Sequence, residues 1–227
     1  QGWDKEIPRS KVHYINNGVD LEQFDYNKEH FRVEDADLDE PDTFKVVYTG
    51  SIRKVNNLGL LLDAAKNVKD SRVKFLIWGD GDERAALEQR VREEHIGNVV
   101  FKGKVEKKYI PSIVSRANAN LMHGISGPLF RFGISPNKMF DYFAAGKPIL
   151  MDFATNYNPV EQYQAGIVLD AVSGETTAQT LQQMAAWPEA EYVRYCQSAR
   201  RAAEDYDFKR LTDKLIAVIE NIPEREV

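Results

Sequence analysis

Cysteine is almost absent from this chain. Cys196 stands alone among 227 residues, so no intrachain disulfide can form, and it falls in a stretch that reads as helix, away from any catalytic constellation. Long apolar runs are missing too. Nothing approaches the roughly 18 consecutive residues of a membrane span, and no charged-then-apolar secretory pattern opens the sequence, so the expected compartment is the cytoplasm. Net positive charge is lacking. At a formal -5 the chain has no general basic field for nucleic acid, and any anion site must be built locally by Lys and Arg gathered in one cleft. His13, His30 and His95 have no partners at metal-ligand spacing, so neither a metal nor any other cofactor is expected. A G-x-G-x-x-G fingerprint, a Walker phosphate loop and a G-x-S-x-G nucleophile elbow are all missing. The opening Gln1-Gly2-Trp3-Asp4 has no initiator methionine, which leads us to expect an excised domain.

What is present is an alternation. From Phe44 onward short apolar runs give way to longer stretches of helical period, the pattern of repeated βαβ units and a doubly wound parallel sheet. Six strands are expected: 44–49, 73–78, 99–101, 119–122, 148–151 and 166–169. Helices are expected after each, with Leu58, Leu61, Leu62, Ala65 and Val68 on one face of the first, a charged one over 82–95, and others over 109–117 and 137–145. Three more close the chain over 176–187, 191–206 and 209–221. Residues 1–43 break the repeat. There Val12 to Ile15 reads as an extended run, Asn16-Asn17-Gly18-Val19-Asp20 as a turn, and Glu34 to Asp42 as a solvated acidic loop.

In an open parallel sheet the ligand crevice lies beyond the C-terminal strand ends, so residues just after each strand carry most interest. Gly50-Ser51-Ile52-Arg53-Lys54 follows the first strand, where Gly50 lets backbone approach a ligand and Arg53 or Lys54 can meet phosphate oxygens. A plain strand-to-helix turn is the alternative. Gly79-Asp80-Gly81 follows the second strand and Gly103 the third. His123 closes the fourth, where a hydrogen-bonded structural role competes with that of a base. The fourteen residues from His123 to Pro136 make a long connection, and long loops in compact domains tend to be functional. They carry Arg131, Phe132 and Gly133, then Ser135-Pro136-Asn137-Lys138. Ser135 as N-cap and Pro136 at the first helical position would leave free N–H groups toward the crevice, with Arg131 and Lys138 adding charge: a diphosphate site. Asp141, one turn after Asn137, can accept hydrogen bonds from sugar hydroxyls.

Asn17-Gly18-Val19-Asp20 with Phe24, Tyr48-Thr49-Gly50-Ser51, Gly79-Asp80-Gly81, Phe101-Lys102-Gly103 and Ser135 through Pro148 resemble, in order and spacing, the C-terminal domain of retaining GT-B glycosyltransferases of family 4. The most specific block, Asp141-Tyr142-Phe143-Ala144-Ala145-Gly146-Lys147-Pro148, is similar to that family's E-A-M-A-x-G-x-P. The resemblance implies a Rossmann-like donor domain over 44–227, with 1–43 as a connector from an N-terminal acceptor domain. It places the donor diphosphate at Gly50, Ser51, Arg53 and Lys138, to which the helix-start reading adds Arg131 and Asn137, the ribose at Asp141 and the base at Gly79 and Gly103, with the donor sugar expected at Gly133, Ser135 and Pro136. Two departures stand out: Gly133 occupies the place of a glutamate that contacts the donor sugar, and Asp141 is one methylene shorter than the ribose-binding glutamate.

The implied activity is hexosyl or N-acetylhexosaminyl transfer with retention, from a nucleoside-diphosphate sugar such as a UDP-sugar, to a glycan or lipid-linked acceptor in surface polysaccharide, lipopolysaccharide or capsule synthesis. Cations and helix dipole, instead of a metal, would stabilise the leaving diphosphate. No catalytic residue is assigned in this stretch, which alone is expected to be inactive; any peripheral association with the inner membrane face would belong to the full-length parent. A nucleotide-sugar epimerase of the same architecture and a noncatalytic Rossmann-type binding domain stay open as alternatives.

Overall fold

The computed structural model describes Pro8 and residues 11–124, 127–170 and 173–221, so Gln1 to Asp4 and two positions of the long loop, 125 and 126, lie outside the described residues. Six parallel strands, β1 (Phe44–Thr49), β2 (Val73–Trp78), β3 (Val99–Gly103), β4 (Ala119–Met122), β5 (Ile149–Met151) and β6 (Gly166–Val168), form one sheet in the order β3-β2-β1-β4-β5-β6. The inner strands read as continuous apolar runs because both faces are covered. In β1, Val46 and Tyr48 enter the core on one face and Val47 the core on the other. The first of these cores is closed by α3 (Leu58–Asn67), α4 (Arg84–Glu93) and α8 (Gly174–Ala185); the second by α1 (Leu21–His30), α5 (Ile110–Ser115), α6 (Asn137–Ala144) and α9 (Glu189–Asp205). Helix α10 (Phe208–Glu220) follows, with Cys196 half-buried on α9.

Chain order decides where a ligand can enter. The chain winds outward through β1, β2 and β3, then returns to lay β4 on the other side of β1 before continuing to β5 and β6. Connections therefore diverge at the C-terminal ends of β1 and β4, opening a crevice there.

The expected acidic loop needs correction. Residues 21–39 contain two helices, α1 and the short α2 (Ala36–Asp39), and although Glu34, Asp39, Glu40 and Asp42 are exposed, four acidic side chains of 34–42 form ion pairs. Asp20 accepts from the Gln23 N–H to cap α1, and Asp35 accepts from the Leu38 N–H to cap α2. Asp37 and Glu40 pair with Lys74 at 2.8 and 2.7 Å, Asp35 pairs with Lys102 at 2.8 Å, and Asp39 with Arg116 at 2.9 Å. Val19, Leu21, Phe24 and Leu38 are buried in the second core. Val12 to Ile15 forms no strand. Helix α4 starts at Arg84, two residues later than expected, because Gly81 to Glu83 turn back on Ile52: the Glu83 N–H donates to the Ile52 carbonyl at 3.1 Å. A further short helix, α7 (Pro159–Gln162), was unanticipated; the Asn158 side chain caps it.

Candidate functional site

Beyond the sheet, backbone meets backbone with no room for side chains. The Gly50 N–H donates to the Trp78 carbonyl at 3.0 Å and the Gly79 N–H to the Gly103 carbonyl at 2.9 Å. Gly79 holds φ +144°, and a Cβ there would stand 1.7 Å from the Gly50 carbonyl oxygen. The glycines after β1 and β2 thus let two loops lie in contact. Gly103, at φ +79°, faces the Arg84 guanidinium.

The first turn of α6 reaches the same rim. Lys138 places Nζ 4.2 Å from the centroid of the Tyr48 ring, and a Cβ added to Gly50 would stand 3.4 Å from that nitrogen. Tyr48 donates its hydroxyl hydrogen to the Ser51 carbonyl at 3.0 Å. Among the described residues no carboxylate pairs with Lys138. Burial pushes its ammonium down to about 8, the charge of Asp152 partly countering. Behind it, the Tyr142 hydroxyl accepts from the Thr49 N–H at 2.9 Å and so ties α6 to the end of β1.

On the adjoining face of α6, Asn137 and Asp141 line a cavity of about 480 Å³, with Asn17, Gln23, Asn27 and Lys107 among its other walls. Burial raises the Asp141 carboxyl to about 6, with Lys107 acting in the opposite sense. The helix start differs from expectation. Pro136 is the cap residue and Asn137 the first helical one, and no side chain caps the end. Ser135 instead donates its hydroxyl to Asn16 Oδ1 at 2.5 Å and accepts weakly from the Asn17 N–H at 3.4 Å, because the N-terminal arm passes beside it; Asn17 also bonds the Asn137 side chain. Among the described residues no side chain accepts from the amides of Asn137 and Lys138, the type of helix end that can receive an anion.

The remaining expected residues divide. Ser51 and Arg53 are exposed on the loop after β1, Ser51 donating to Asn56 Oδ1 at 3.0 Å. Arg131 and Gly133 lie on a 3-10 turn (Pro128–Phe132) and its end: the Arg131 carbonyl accepts from the Asn156 side chain at 2.8 Å, and the Arg131 guanidinium lies 4.6 Å from the Phe132 ring. Gly133 packs beside Asn156 and Tyr157. His123 is buried and bonded to Asp152 and to the Asn57 carbonyl, the structural option of the two open to it.

Sequence reasoning missed Lys107, and it named Asn17 among the resembling blocks without placing it in the cavity lined by Asp141. Lys107 lies just beyond the end of β3, where the strand-end rule could have found it. The place of Asn17 against α6 has no local signal. Among the described residues no three His, Cys, Asp or Glu side chains are placed to hold a metal ion, and no helix is long and apolar enough to cross a membrane.

The structure is a doubly wound sheet in which, among the described residues, the start of α6 has no side-chain cap and Lys138 has no carboxylate partner. The chain belongs to the glycosyl transferases group 1 family, whose model matches residues 43–186. It is similar to TuaH of Bacillus subtilis (strain 168), named provisionally as a teichuronic acid biosynthesis glycosyltransferase, with 24% identity over 76% of this chain and 42% of that protein. WcaI of Escherichia coli (strain K12), named provisionally as a colanic acid biosynthesis glycosyl transferase, is 24% identical over 63% of this chain and 35% of its own length. The chain thus spans less than half the length of these relatives. The fold matches Anabaena Alr3699/HepE, solved in complex with UDP, at a TM-score of 0.71 and 13% identity, covering 92% of this chain and 57% of that one. Six parallel strands flanked by helices make a Rossmann-like domain whose fold matches GT-B glycosyltransferase structures.

Proposed function

We propose that this domain holds the nucleoside-diphosphate sugar, a UDP-sugar, of a retaining family 4 glycosyltransferase that builds a cell-surface polysaccharide. The observation that carries the reading is Lys138. An ammonium with no carboxylate partner among the described residues, held beside Gly50 and next to helix amides that no described side chain caps, matches a diphosphate in charge and in hydrogen-bond demand. Asp141, one turn along α6, faces a separate cavity suited to the ribose hydroxyls. The leaving diphosphate would be stabilised by Lys138, by Arg53 on the adjacent loop and by the α6 dipole, without a metal. Arg131, on the turn that precedes α6, would join them. Gly133, Ser135 and Pro136 would border the donor sugar, and Gly79 and Gly103 would shape the base end through backbone packing.

The acceptor would be a glycan or lipid-linked saccharide on a partner domain preceding residue 44, with 1–43 as connector, at the cytoplasmic face of the membrane. The names of TuaH and WcaI favour transfer over epimerisation. Thermal shifts with a panel of nucleoside diphosphates test the ligand class, since a ligand of the folded state alone must raise its stability. UDP is expected to give the largest shift. Equal, negligible shifts for every diphosphate would refute the reading. Incubation of the full-length parent with labelled UDP-sugars and a lipid-linked acceptor separates transfer from epimerisation by where the label ends.

A further inference from the structure

Beyond the residues assigned above, the most enclosed polar pair is His123 with Asp152, at the ends of β4 and β5. Both side chains are 1% exposed, and His123 Nδ1 stands 2.5 Å from Asp152 Oδ2. Nε2 lies 2.9 Å from the Asn57 carbonyl oxygen. A carbonyl only accepts, so Nε2 carries a hydrogen and donates it to Asn57, while Nδ1 and Asp152 share a proton that fixes the ring from its other side. Asp152 Oδ1 is buried without a hydrogen-bond partner among the described residues. A half-satisfied buried carboxylate costs stability, which speaks against packing as the pair's whole purpose.

Asn57 ends the loop that follows β1. It sits at φ +50°, its side chain caps nothing, and its carbonyl also accepts the Leu60 N–H at 3.0 Å, so His123 holds loop end and first turn of α3 through one oxygen. Among the described residues the loop has three other backbone ties to neighbouring segments, all near its start: the Gly50 N–H to Trp78, the Ile52 N–H to the Asp80 carbonyl at 2.9 Å, and the Glu83 N–H to the Ile52 carbonyl at 3.1 Å. Between Ile52 and Asn56 the side chains of Arg53, Lys54 and Val55 are exposed. The far tether of this cationic stretch is His123.

We propose that His123 is a positioning residue for diphosphate binding: locked by Asp152, it fixes the Gly50–Asn57 loop, and Arg53 with it, through the Asn57 carbonyl. The inference rests on the nucleotide-sugar reading above. Two variants separate its halves. His123→Gln keeps an amide N–H near the place of Nε2 and so the bond to Asn57, whereas His123→Asn mimics Nδ1 and loses it. Calorimetric titration of the whole chain with UDP, and NMR titration with uridine, read the effect. We expect His123→Gln to stay within about threefold of the parent for UDP, and His123→Asn to weaken UDP about tenfold or more while uridine changes little. Should His123→Asn fail to fold, His123→Phe, which keeps the ring's bulk and leaves Asp152 in place but donates nothing to Asn57, carries the same expectation of a UDP-selective loss. Equal UDP affinity in parent and variants, or equal losses for UDP and uridine, overturns the positioning role alone. A parent that binds no nucleoside diphosphate overturns the nucleotide reading and this inference together.

Discussion

Lys138 and Tyr48 form a cation–π pair at 4.2 Å, and among the described residues no carboxylate pairs with this ammonium, Asp152 acting on it only through its charge. Such contacts return about 0.5–2 kcal/mol, less than a desolvated charge loses. Lys138→Met should therefore raise the melting temperature of the free protein while weakening UDP roughly tenfold to a hundredfold, the worth of a charge-assisted contact. Melting curves and calorimetry on one preparation check both signs. An unchanged affinity for UDP would remove Lys138 from the diphosphate site.

Titration gives a second expectation. Binding needs Lys138 protonated and Asp141 ionised, and their values of about 8 and about 6 bracket a pH window in which UDP affinity peaks. Stability follows different slopes. Asp141 holds its proton more tightly folded than unfolded, where it titrates near ~3.9, so stability falls as pH rises from ~4 to ~6. Lys138 releases its proton earlier when folded than at its unfolded ~10.4, so stability rises from ~8 to ~10. Asp141→Asn should flatten the acid slope and leave the alkaline one. Melting temperatures across pH 4–10 read both, and an acid slope that survives in Asp141→Asn would contradict the assignment.

How far these features could be read in advance depends on what each needs. The strands were legible because burial on both faces turns Val46 to Tyr48 and Phe75 to Trp78 into unbroken apolar runs. Helix α1 was not, since only Leu21 and Phe24 of its ten residues are buried and no period stands out. Helix α2 depends on Lys74, Lys102 and Arg116, each more than thirty residues away, which no local window contains. The site divides the same way. Gly50, Lys138 and Asp141 follow from the rule of strand ends and helix starts. Ser135 failed as a cap because its hydroxyl found Asn16, 119 positions earlier.

Glycine spacing at the rim makes a sharper claim. Gly79→Ala would bring a Cβ within 1.7 Å of backbone at a φ that L residues rarely adopt. The loops after β1 and β2 must then separate, at a cost of about 3 kcal/mol or more. Gly97→Ala meets nothing within 4 Å and should stay within ~0.5 kcal/mol of the parent. Urea unfolding of the two variants measures the contrast, and a mild Gly79→Ala would mean that the loops do not touch.

Asp35 tests whether the N-terminal arm is bound to the domain by charge or by packing. Its carboxylate does two things at once: it caps α2 through the Leu38 N–H at 3.0 Å, and it pairs with Lys102 at 2.8 Å where both side chains are 12% exposed. Lys102 keeps a second partner in Asp37, so losing Asp35 does not orphan the charge, and the cost should fall short of the 3–5 kcal/mol seen when a buried pair is broken outright. We expect about 2 kcal/mol for Asp35→Ala, of which about 1 is the cap. Asp35→Ser, which restores the cap alone, should recover that half. Replacing Asp35 and Asp37 together leaves Lys102 without either partner and should cost more than the sum of the single changes, because each carboxylate covers for the other. Additive losses in chemical unfolding would show that Leu38 and Phe24 hold the arm in place and that the ion pairs merely decorate it.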